Sequence, residues 1–133
     1  MKEKRKMSDN SLNDILNLGC EERYDYFLSV ASEEKEIWIL ANSDQQFLKI
    51  YAEDDGFEYL PIWPDSELAA DYASKNEELS PKCISLPEFF EKWVPGLMKD
   101  GIEIGVLPGV ESDIWVTPPS ELKKDLQEEL ANF

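Results

Sequence analysis

Between Glu36 and Trp63 the chain reads as strand, turn, strand, turn, strand, and no other segment limits the fold as much. Glu36 to Ala41 is β-branched and aromatic, with Ile37, Trp38 and Ile39 followed by Leu40. Such residues suit a pleated, half-buried surface. Asn42 to Gln45 is a polar turn. Gln46 to Ala52 alternates, with Phe47, Lys49 and Tyr51 on one face and Leu48 and Ile50 on the other. Asp54-Asp55-Gly56 supplies the positive φ angles of a tight hairpin. Phe57 to Trp63 then returns, with Pro61 inside it predicting an edge position or a bulge. The pattern predicts a three-stranded antiparallel meander.

Helices flank this run. Leu12, Ile15, Leu16 and Leu18 form a short helical face behind Asn10 and Ser11, and Gly19 ends or kinks it. Glu21 to Ala31 is a stronger helix, because Tyr24, Phe27, Leu28 and Ala31 fall at i, i+3, i+4 and i+7. Asp65 is a good N-cap for a helix through Leu68, Ala69, Tyr72 and Ala73. Lys82 to Ser85 suits a fourth strand. Ser85-Leu86-Pro87-Glu88 fits a capping box for a helix through Phe89, Phe90, Trp93 and Leu97. Pro95 predicts a kink or an end there. Ile102 to Leu107 and Asp113 to Val116 read as two more strands. A last helix carries Leu122, Leu126 and Leu130 on one side. The expected fold is α+β, a mainly antiparallel sheet with helices packed on it. Residues 1–10 are expected to be a basic tail and residues 11–133 a single domain, long enough for a real core. Its 15 aromatic residues argue against an acidic disordered chain.

Charge then narrows the functions. The chain holds 29 acidic residues against 13 basic ones and no histidine. Residues 1–7 contain four basic residues and one acidic, so the remainder carries 9 basic and 28 acidic, a charge of -19. Such a body repels nucleic acid and anionic membranes and attracts basic partners and cations. The lack of histidine removes the commonest general base and metal ligand. Cys20 and Cys83 lie far apart and outside any CxxC motif, which suits reduced thiols. No apolar stretch follows the basic start, so no signal peptide is predicted and the cytoplasm is the expected location. No run is long enough to span a bilayer.

No residue is singled out as catalytic and no cofactor is predicted. The sharpest metal candidate is Glu53, Asp54, Asp55 and Glu58, whose oxygens on a tight turn suit Ca²⁺ or Mg²⁺. Their spacing does not match an EF-hand, and a solvated hairpin turn is the favoured explanation of them. Gly105-Val106-Leu107-Pro108-Gly109 lacks the ending of a phosphate loop and suits a strand end. Trp38, Trp93 and Trp115 sit in apolar segments and are expected in the core. The core reading leads for Trp63 as well, with partial exposure at its strand end as the alternative. Trp63 with Asp65 is therefore the candidate interaction surface.

Four segments together resemble a known family: Glu22-Arg23-Tyr24-Asp25-Tyr26-Phe27-Leu28, Ala52-Glu53-Asp54-Asp55-Gly56, Leu60-Pro61-Ile62-Trp63-Pro64-Asp65, and Trp93-Val94-Pro95-Gly96-Leu97 with Asp100-Gly101. The family is one of small bacterial proteins catalogued as domain of unknown function 2750. The likeness spans roughly Glu21 to Leu130 and implies a compact cytosolic α+β domain. It implies no activity and no catalytic residue. The run through Trp63-Pro64-Asp65 is also loosely similar to the N-terminal domain of SseB-type proteins. The leading expectation is a non-enzymatic interaction domain that meets a basic protein. The alternatives are a carboxylate-based divalent-cation protein or enzyme, and a small-molecule-binding domain.

Overall fold

The computed structural model describes residues 14–52, 56–74, 78–108 and 114–131. The expected tail, residues 1–10, lies outside them. In chain order the elements are α1 (Cys20–Glu34), β1 (Glu36–Ala41), β2 (Ile50–Ala52), β3 (Phe57–Ile62), α2 (Ser66–Ala73) and β4 (Ser80–Ser85). Then come α3 (Leu86–Glu88), a π-helical turn (Phe89–Trp93), α4 (Val94–Asp100), β5 (Glu103–Val106), β6 (Trp115–Thr117) and α5 (Pro119–Leu130).

The fold is α+β. β1 and β4 form an antiparallel pair, and a second sheet runs β2-β3-β5-β6. Every pairing is antiparallel except β3 with β5. α1 and α5 pack on one another and both touch β5, while α2 lies against β1 and β4. Phe27, Ile37, Ile39, Leu60, Ile62, Ile104, Val106, Phe89 and Leu122 are all fully buried between these layers. Each such side chain contributes about 1.5–3 kcal/mol by leaving water.

The meander departs from expectation at Pro61. Trp38 and Trp63 exchange both backbone hydrogen bonds at 2.9 Å. An antiparallel ladder would next set Leu40 against Pro61, whose nitrogen carries no hydrogen. The Leu40 carbonyl instead accepts from the Leu48 N–H at 2.8 Å. β1 therefore leaves β3 here, turns through Asn42 to Gln46, and returns as β2. Twelve positions separate Trp38 from Ile50, but only four separate their partners Trp63 and Tyr59. β1 and β2 thus share one edge of β3, interrupted by an excursion over residues 42–49. The continuous strand expected over Gln46 to Ala52 shrinks to Ile50–Ala52 plus one bridge at Phe47. Pro61 sits in an interior strand, at a break in the ladder rather than at an outer edge.

Pro95 also acts differently from a helix stop. In an α-helix its ring would strike the Glu91 carbonyl four residues earlier. The backbone instead widens into the π turn just ahead of it, with the Val94 N–H reaching Phe89 O, and the helix continues to Asp100. The caps behave as expected. Asp65 Oδ1 accepts from the Leu68 N–H at 2.9 Å, and Ser85 Oγ from the Glu88 N–H at 3.3 Å. No helix among the described residues is long and apolar enough to cross a membrane.

Candidate functional site

The residues singled out from sequence do not assemble into one site. Glu53, Asp54 and Asp55 lie outside the described residues. Glu58 projects from β3 opposite Tyr51, with the Lys49 ammonium 4.0 Å away. No group of three His, Cys, Asp or Glu side chains suited to a metal occurs among the described residues. Trp63 is 0% exposed, as the core reading expects, and the alternative of partial exposure is absent. Its ring packs against Tyr72 with centroids 5.2 Å apart, and its indole N–H has no hydrogen-bond partner among the described residues. Asp65 is half-buried and caps α2, a structural task. Trp38, Trp93 and Trp115, all expected in the core, are only partly buried.

Neither cysteine is in a disulfide. Cys83 is exposed on β4 opposite Trp38, and its Sγ donates to Glu36 Oε2 at 3.2 Å. Glu36 also accepts from the Trp38 indole N–H at 3.3 Å. Partial burial of the thiol, that hydrogen bond, and the charges of Glu36 and Glu88 push its pKa up to about 11. The thiolate is the nucleophile, so Cys83 is expected to react sluggishly with a disulfide reagent at pH 8 despite its exposure. Glu36→Gln is expected to speed that reaction severalfold, read by absorbance, and an unchanged rate contradicts this account of the thiol. The raised pKa also stabilises the fold below the unfolded thiol value of about 8.5. That contribution is lost as pH climbs through 11.

A different face brings charge and aromatic surface together. α1 carries Glu21, Glu22, Asp25 and Glu34 exposed to solvent. Its one basic residue, Arg23, points inward and is 2% exposed. Arg23 Nε donates to the Leu107 carbonyl at 3.0 Å and Nη1 donates to the Leu18 carbonyl. The neighbouring Tyr24 is 5% exposed and stacks on the half-buried Trp115, with centroids 4.6 Å apart and planes 13° from parallel. Its hydroxyl donates to Asp125 Oδ2 on α5. Burial, then the Asp125 hydrogen bond, then the charges of Asp125, Glu121 and Asp25, hold the phenol well above its ordinary pKa. Three carboxylates from two helices thus act on one phenol, Tyr24, whose ring is stacked on Trp115. Of the lysines on α5, Lys123 leans over the Phe90 ring at 5.9 Å and Lys124 is exposed.

This face suits a cation chemically. Carboxylates draw it in, and Trp115, the half-buried member of the aromatic pair, offers the ring edge or face that a guanidinium or ammonium can meet. Sequence reasoning counted the charge but missed the inward turn of Arg23. A signal for it existed: Arg23, Phe27 and Val30 fall at i, i+4 and i+7, so the arginine lies on the buried stripe.

Comparison with known families agrees with the resemblance seen in the sequence. The profile of a family described as "Protein of unknown function (DUF2750)" matches residues 24–126. It bears on DUF2750 and not on the SseB-type likeness. No curated protein matches the chain.

Proposed function

We propose that this chain, which belongs to the DUF2750 family, is a non-enzymatic interaction domain whose α1–α5 face receives a basic segment of a partner protein. One observation carries this role: the only cation of α1 is buried at Arg23, so its exposed charges are all acidic, and they adjoin the carboxylates around Tyr24 and Trp115. Electrostatic complementarity of this kind accelerates encounter and weakens as salt rises. We place the domain in the cytoplasm, which the absence of a disulfide supports.

The test is titration with an oligoarginine peptide at about 0.05 M and about 0.5 M salt, where screening lengths differ roughly threefold. Binding is expected at low salt and on the order of tenfold weaker at high salt. Asp25→Asn with Glu121→Gln is expected to weaken it at low salt. Glu91→Gln with Asp100→Asn removes the same charge from exposed positions on other elements and is expected to leave binding near wild type. Equal losses in the two double variants would show that net charge alone attracts the peptide, and the proposed face would be withdrawn.

A further inference from the structure

The excursion over residues 42–49 frames a cleft of ≈ 670 Å³ beside β3, lined among others by Asn42, Phe47, Leu48, Lys49, Glu58 and Leu79. Small-molecule sites have volumes of this order. The cleft wall is held in place. Asn42 Oδ1 accepts from the Asp44 and Gln46 N–H groups, both at 2.9 Å, and its Nδ2 donates to Gln46 Oε1. Gln45 adopts a left-handed φ of 64°, and its Oε1 accepts from Lys82 Nζ at 3.3 Å. Phe47 meets Trp93 of the π turn edge-on, with centroids 5.0 Å apart. A pre-ordered wall lowers the entropy a ligand must overcome.

Within the cleft, Lys49 Nζ and Glu58 Oε2 stand 4.0 Å apart, their side chains 40% and 46% exposed. That separation is too long for a hydrogen bond, so both groups keep capacity for another partner. The Lys49 ammonium also lies 6.0 Å from the Phe47 ring centroid. A cation and an anion side by side, next to an apolar wall, match a molecule that carries both charges on neighbouring atoms. We infer that the cleft binds a free α-amino acid. Its carboxylate meets Lys49, its ammonium meets Glu58, and an apolar side chain lies against Phe47, Leu48 and Leu79. Laid antiparallel over the ion pair, a zwitterion satisfies both charges at once. An amine or an acid alone engages one and competes with the pair for it. Both protein charges stay partly hydrated, so the expected Kd is about 1 mM. This site is separate from the α1–α5 face, and neither depends on the other.

The probe is L-leucine, titrated into the full chain and followed through the backbone amide resonances of Phe47, Lys49 and Glu58. Isoamylamine and isovalerate serve as singly charged controls. Saturable shifts with leucine, absent or on the order of tenfold weaker with either control, are the expected result. Lys49→Met and Glu58→Gln, both at exposed positions, are each expected to remove saturation while leaving the melting temperature near wild type. No saturation by leucine at tens of millimolar, equal responses to the controls, or binding that survives both substitutions would overturn the inference.

Discussion

Replacing Arg23 with methionine is expected to lower the unfolding free energy by about 2–4 kcal/mol, since two carbonyls lose a charged donor at about 1–3 kcal/mol each. Arg23 is 2% exposed and ties the start of α1 to the distant end of β5. From α1 it donates to Leu18, just before the helix, and to Leu107, 84 positions away at the end of β5. Leu107 is fully buried and holds a left-handed φ of 47°, a conformation that costs a leucine roughly 1–3 kcal/mol. The Arg23 hydrogen bond and the Leu107 N–H bond to Ile62 at 2.9 Å hold it there. Methionine fills much of the same volume and leaves the Leu18 and Leu107 carbonyls without these donors. Arg23→Lys keeps the charge but lacks the fork that reaches two carbonyls, so it is expected to recover less than half the loss. Urea denaturation measures both, and a loss under about 1 kcal/mol for Arg23→Met would refute the structural role given to this residue.

Gly105→Val is expected to be similarly damaging, at about 3 kcal/mol, for a steric reason. Gly105 is buried in β5, between Pro61 of β3 and Val116 of β6. A Cβ placed on it would lie 2.4 Å from Tyr59 Cδ2, 2.7 Å from Tyr59 Cε2 and 2.8 Å from Ile114 Cδ1. No side chain fits until the Tyr59 ring and the Ile114 methyl both move, and that ring is half-buried with its phenol pKa raised by burial and by Tyr72. Gly105→Ala is expected to cost less than valine. Combined with Tyr59→Ala, it is expected to cost less than the sum of the two single changes, because the Tyr59 ring makes the two shortest of the three close contacts. Strict additivity in that cycle would move the cause elsewhere.

Much of this architecture was legible in residue order, and the exceptions have identifiable causes. α1, α2 and α5 follow from apolar spacing and caps, since Phe27, Leu68 and Leu122 sit where the helical period puts them. The departure from the expected meander turns on one absent hydrogen at Pro61. Pairing across strands is non-local, and nothing near Leu40 signals that its carbonyl must find Leu48. The parallel β3–β5 pairing is hidden for the same reason, with α2, β4 and α3 through α4 intervening. Tryptophan exposure was misjudged because local neighbours do not report layer depth. Trp63 ends a strand yet is paired with Trp38 and lies against Tyr72 of α2. The site was less legible than the fold. The acid excess is plain in composition, but its meeting with Tyr24 and Trp115 depends on α1 packing against α5.

The most direct test of the interaction role is purification of the tagged protein from its own cells at low and high salt, beside the Asp25→Asn, Glu121→Gln variant. Bound proteins are identified and quantified by mass spectrometry. The expected result is one basic protein in stoichiometric amount with wild type at low salt, lost at high salt and depleted with the variant. A partner retained equally at both salts and by both proteins, or no partner under any condition, would contradict the role proposed for the α1–α5 face.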